Sequence, residues 1–181
     1  MKKKIIFISI IILLLLITYR IFMVDIKDYF LKKHVIFWTK DSNIEFKNYK
    51  AEPNFQSESN ISYFHGFYLK SHNIKDATVR AYFDTEKSWI KDTTKFNVTD
   101  VKKLQKIRFD LYEGFARKFN REIDKVRNDE SKSFSDIENI GDEIYSELKI
   151  VENQIYESDL TIGERVKYWR PKIDSILNLK K

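Results

Sequence analysis

The chain has 181 residues, with 33 Lys and Arg against 27 Asp and Glu, which is enough for one domain with its own core and too little for two. The absence of cysteine excludes disulfides, thiolate metal sites and thiol nucleophiles, and 14 Phe and 10 Tyr beside four Gly and two Pro exclude a disordered linker. Lys2, Lys3, Lys4 and Arg20, offset by Asp25, account for part of the +6 charge. The remainder nets about +3 with both signs interspersed, and no nucleic-acid motif is present, so no nucleic-acid partner is expected.

Met1–Lys4 form a basic leader, and Ile5–Ile17 are apolar apart from Ser9, the layout of an export signal. No small-residue cleavage pattern follows, since Ile17-Thr18-Tyr19-Arg20-Ile21-Phe22 contains none and the first alanine is Ala51. An uncleaved anchor is therefore favoured over a cleaved signal. Ile5–Val24 as a helix, at roughly 1.5 Å per residue, reaches the ~30 Å of a hydrocarbon core. Arg20 and Tyr19 suit the interface, and Lys2–Lys4 stay cytoplasmic by the positive-inside rule. The expected organisation is an anchor over 1–25 in contact with lipid, then an extracytoplasmic domain over 26–181, secreted if the signal is cut. A weak preference of Lys27, Lys32 and Lys33 for an anionic membrane surface accompanies it.

The first half of the domain has the patterning of strands. His34–Trp38 is a short apolar run. Ile61–Lys70 places Ile61, Tyr63, Phe67 and Leu69 on one face, and Ala77–Asp84 alternates Ala77, Val79, Ala81 and Phe83 against polar neighbours. His72-Asn73 is the predicted turn of an antiparallel pair, and Glu52–Asn60 a loop. His65 and His72, seven apart, are expected on opposite faces, each a surface or hydrogen-bonded core histidine rather than a metal ligand.

The second half is helical. Asp100–Arg127 carries one apolar stripe (Val101, Leu104, Ile107, Leu111, Phe115, Phe119, Ile123, Val126), long for a small domain. Ser135 with Glu138 is the predicted capping box of a helix striped by Ile137, Ile140, Ile144, Leu148, Val151 and Ile155. Thr161 with Glu164 opens a third, which ends near Asn178 and which Pro171 should kink or interrupt. Strands followed by helices predict an α+β fold, a small antiparallel sheet with three helices, one of them long.

Two stretches carry a resemblance. Phe83, Asp84, Ser88 and Trp89 match the pattern F-D-x-x-x-S-W. Phe109, Asp110, Glu113, Ala116, Arg117 and Lys118 match the second part of H-E-Q-x-H-F-D-x-x-E-x-x-A-R-K, and Tyr156, Gly163 and Trp169 fall where Y-D-x-x-T-x-H-G and a later Trp would. In order and spacing the chain resembles a bacterial family of zinc-dependent proteases, secreted or membrane-bound. In an H-E-x-x-H helix the two His bind zinc from one face and the Glu activates the bound water. Here those positions hold Leu104, Gln105 and Arg108, and the histidine of the His-Gly pair is replaced by Ile162. Leucine cannot ligate, glutamine cannot take a proton, and a guanidinium repels a cation. No metal or cofactor is therefore expected, and no catalytic residue can be carried over.

The resemblance thus implies a protease-like domain without protease chemistry, a membrane-held module that binds a peptide or protein or serves as a scaffold. Arg108 is available to meet a carboxylate, and Asp110, Glu113, Tyr156 and Arg117 are candidate groove residues beside the altered positions. Glu113, nine residues from Leu104, points about 180° away on a regular helix and is better placed to pair with Arg117. Two alternatives stay open. One is a hydrolase using an unrecognised acid–base set among Glu113, Asp110 and Tyr156. The other is a structural protein whose helices form an oligomer interface.

Overall fold

The computed structural model describes residues 2–157 and 159–178; the side chains of residues 2–7 and 21 lie outside the description, and with them Met1 and the lysine side chains of the basic leader. The chain divides into two units, Met1–Lys33 and His34–Lys181. The first is a single helix, α1 (Lys2–Leu31), so the expected division at residue 25 falls inside it. Eleven of its large hydrophobic side chains from Ile8 to Phe22 are 41–64% exposed. No single helix among the described residues is long and apolar enough to cross a membrane; Ile8–Arg20 and Phe22–Leu31 pass that test together, as a bent pair.

The second unit is α+β. Strands β1 (Val35–Phe37), β2 (Ile61–Lys70) and β3 (Thr78–Ile90) form an antiparallel sheet in the order β1-β3-β2. Its buried face carries Tyr63, His65, Val79, Ala81 and Phe83, the alternation expected from the sequence with His65 added. The β2–β3 turn holds a helical turn at Ile74–Asp76 that Asn73 caps through Lys75 N. His72 lies in this turn, beyond the end of β2, so the strand-parity argument that set it opposite His65 does not apply.

The F-D-x-x-x-S-W stretch interrupts β3 rather than ending it. Ser62 pairs with Trp89 but Phe64 pairs with Asp84, so β3 carries extra residues in a bulge. Asp84 Oδ1 accepts from the backbone N–H of Glu86 (3.0 Å) and Lys87 (3.2 Å). The Ser88 hydroxyl donates to Asp84 O (2.6 Å) and accepts from Phe64 N (3.0 Å). These shared residues satisfy backbone groups that the bulge removes from the ladder.

Helix α2 (Val98–Val126) starts at an Asn97 cap and runs unbroken for 29 residues, roughly 43 Å. It packs on the sheet and against both α3 (Phe134–Tyr156) and α4 (Ile162–Asn178). Phe109, Asp110, Leu111 and Tyr112 are all buried, and four consecutive helical residues span most of the circumference. The single expected stripe is therefore too narrow a description of α2, because cover comes from several sides at once. Where α4 crosses, a Cβ on Gly114 would stand 2.5 Å from Ile176 Cγ2, so glycine allows this approach.

Helix α3 buries Ile137, Ile144, Leu148 and Ile155 as expected. Its cap is Ser133 with Asp136, two residues before the predicted Ser135–Glu138 box, because the Asp136 carboxylate accepts from Ser133 N at 2.8 Å. The Thr161–Glu164 box opens α4 as expected, with Glu164 Oε2 accepting from Thr161 N at 2.9 Å. Pro171 does not interrupt α4, which continues to Asn178.

Candidate functional site

Helix α2 presents two chemically distinct sides, and the altered motif positions fall on one of them. Leu104 and Arg108, one turn apart, share a face and line a groove of about 250 Å³ with Tyr63 of β2, Tyr156 at the end of α3, and Ile162 and Arg165 of α4. Three of the four positions that the resemblance marks as former zinc chemistry thus converge, although 58 residues separate Leu104 from Ile162 in sequence. Gln105 is the exception. It is buried beside the groove rather than in its wall, and its Nε2 has no hydrogen-bond partner among the described residues.

Arg108 is already engaged. Its Nε donates to Glu152 Oε1 at 2.5 Å and its NH1 to Tyr63 O at 2.9 Å, and the guanidinium lies 5.1–5.9 Å from the ring centres of Tyr63, Tyr112 and Tyr156. The carboxylate expected from a partner is therefore supplied by α3 of the same chain. Glu152 also accepts from Lys149 (2.6 Å) and from the Tyr112 hydroxyl (3.2 Å). Burial alone would raise its pKa, but Arg108 and Lys149 outweigh that and hold it below the usual carboxylate range. Burial likewise works against the charge on Arg108, and the opposing pull of neighbours, the Glu152 carboxylate among them, more than restores it. The Tyr63 and Tyr156 hydroxyls meet at 2.9 Å, and burial raises both pKa values, so both stay neutral.

The other candidates lie across the helix. Asp110, Glu113 and Arg117 do not join Tyr156 in one groove as expected, since they sit about 180–240° around α2 from Leu104. Asp110 is buried and accepts from Trp38 Nε1 (2.7 Å), Lys106 Nζ (2.6 Å) and Arg170 NH1 (2.7 Å), which ties β1, α2 and α4 together. Glu113 and Arg117 form the expected i,i+4 pair at 2.8 Å. Burial raises the Glu113 pKa against the opposing pull of Arg117, whose NH1 also donates to Leu177 O.

Of the acid–base pairs open among these positions, those with Tyr156 are not assembled, because Tyr156 is on the groove side and both carboxylates are on the other. No group of three or more His, Asp or Glu able to hold a metal occurs among the described residues. His65 is a core residue but not the hydrogen-bonded one expected, since neither ring nitrogen has a partner among the described residues. Its ring packs 5.0 Å from Phe109 and 5.5 Å from Tyr112, and burial, with the Arg108 charge adding to it, pushes its pKa well below the usual histidine range. His72 is exposed and pairs with Asp76 at 2.9 Å.

Glu152 was not among the candidates, although it left a signal. It sits four residues after Leu148 and three before Ile155, on the apolar stripe of α3, where an acid needs a partner. Trp38 and Arg170 left none, being 72 and 60 residues from Asp110. Chemically, the groove offers apolar walls from Val101, Leu104 and Ile162 with two guanidinium groups at one side. Its volume lies below the ~300 Å³ at which small-molecule sites begin, a size suited to one side chain of a peptide. No family model, no curated protein and no solved structure matches this chain.

Proposed function

We propose that the chain is a non-catalytic, zinc-metalloprotease-like domain held at a bacterial cytoplasmic membrane by its N-terminal helix, with the domain outside the cytoplasm. Its role is to bind a peptide or protein or to serve as a scaffold. The observation that carries the reading is the Arg108–Glu152 ion pair. By the resemblance Arg108 stands at the second histidine position of the motif helix, and it lines one groove with Leu104 and Ile162, which stand at two other ligand positions. A guanidinium already paired with a carboxylate offers no lone pair to a metal and no Lewis acidity to a substrate, which supports the non-catalytic reading. The apolar surface of α1, exposed between Ile8 and Phe22, supports the anchor, since such a surface in water is an unmet cost.

Metal analysis of the full chain, purified in detergent after growth with zinc and dialysed without chelator, tests the non-catalytic half. Zinc below a few per cent of the chain concentration, with no peptide hydrolysis, is the expected result. Stoichiometric zinc with turnover that a chelator abolishes would overturn it and make a hydrolase the reading. A reporter fused after Lys181 tests the topology, and activity confined to the cytoplasm refutes the placement.

A further inference from the structure

A second cavity lies between α2 and α4, larger than the groove just described and different in chemistry. Its volume is about 670 Å³, and five of its eight wall residues are cations (Lys102, Lys103, Lys106, Lys167, Arg170) with no acid among them. The other three, Ile107, Val166 and Pro171, are apolar. Lys106 and Arg170 are partly neutralised by Asp110, and Arg170 also donates to Asp174. Lys103 and Lys167 are exposed and have no ion-pair partner among the described residues. The buried Nε of Arg170 likewise has no hydrogen-bond acceptor there.

A lining of cations and apolar side chains selects its ligand by both properties. A free inorganic anion would gain nothing from Ile107, Val166 and Pro171, and a neutral apolar molecule nothing from five cations. The pairing fits an amphiphile with a negative head. We infer that the α2–α4 groove binds an anionic phospholipid, with its phosphate among Lys103, Lys167 and Arg170 and its first acyl carbons on the apolar side chains. A volume of this size accommodates a headgroup and the start of a chain. The inference draws on the anchored reading only for the source of the lipid, the bilayer that holds α1.

The test uses the full chain in bilayer discs of phosphatidylcholine, with or without phosphatidylglycerol. Acylation rates of Lys103 and Lys167 are read by mass spectrometry, with Lys87, 60% exposed on β3, as the internal reference. Several-fold slower acylation of Lys103 and Lys167 only in discs containing phosphatidylglycerol, with Lys87 unchanged, supports the site. Equal protection by soluble glycerol phosphate would overturn it in favour of a simple anion site. Protection in phosphatidylcholine discs that grows with protein concentration would also overturn it, pointing to the acidic outer face of α3 (Glu138, Asp142, Glu143) of a second copy.

A chain that fails to stay with either disc refutes the anchor but not the groove. Micelles of short-chain phosphatidylglycerol added to the free chain then decide, protection supporting the proposal and its absence overturning it. In that assay Lys103→Gln and Lys167→Gln should each weaken binding roughly fivefold, the effect of one lysine near an anionic surface. Both residues are exposed, so neither change disturbs folding.

Discussion

The two sides of α2 are built on the same device with the charges reversed. On the groove side α2 supplies a partly buried cation, Arg108, to the buried Glu152, which also takes Lys149 and the Tyr112 hydroxyl. On the far side a buried carboxylate, Asp110, takes Trp38, Lys106 and Arg170. Each cluster joins α2 to other elements of the unit, and each carboxylate is 4–5% exposed at its side chain. The difference lies in which residues the metalloprotease resemblance retains. Asp110, Glu113 and Arg117, which match, are on the far side and hold the fold; Leu104, Arg108 and Ile162, which do not, are in the groove. Tyr156, which also matches, lines the groove beside them, so matched letters fall on both sides of α2 and are no argument for retained activity.

Breaking the groove cluster should have the largest effect. Arg108→Ala leaves Glu152 buried without its main partner, and a loss of about 3–5 kcal/mol in urea unfolding is expected. Exchange of both Arg108 and Glu152 for Met should recover most of that loss, because an apolar pair of similar volume needs no charge compensation. A loss below about 1 kcal/mol for Arg108→Ala would mean that the pair is not what closes the site.

Asp110→Ala sharpens the comparison from the other side. Its partners Lys106 and Arg170 are 34% and 32% exposed, so they can return to water, whereas Glu152 cannot. The expected loss is therefore smaller, about 1–3 kcal/mol, and falls mostly on the partly buried Trp38 bond. An effect equal to that of Arg108→Ala would remove the asymmetry between the two faces.

The smallest effect is a pH dependence beneath the groove. The unfolded chain binds a proton on His65 below about pH 6.5, while the folded chain, holding His65 neutral in an aromatic cage, does not until well below that. Stability from this residue is thus complete above pH 6.5 and is lost as the pH falls, by up to about 1.4 kcal/mol per pH unit. Unfolding midpoints between about pH 6.5 and 5, above the carboxylate range, should show this slope, and His65→Leu should flatten it.

The sequence alone determined the elements of this protein and their faces. Alternation at Ala77–Phe83, the stripe of α3 and the Thr161–Glu164 cap are local, set by side-chain periodicity and by groups only a few residues apart. That Leu104, Arg108 and Ile162 cannot ligate a metal was legible for the same reason, since ligand chemistry belongs to residue type. Only the tertiary structure decided that these three positions meet, that Glu152 occupies the place of a partner's carboxylate, and that Asp110 and Arg117 stand apart from Tyr156. It also decided that lysines of α2 and of α4 share one groove. Such pairings join residues tens of positions apart, and their energies depend on burial, which no local pattern encodes.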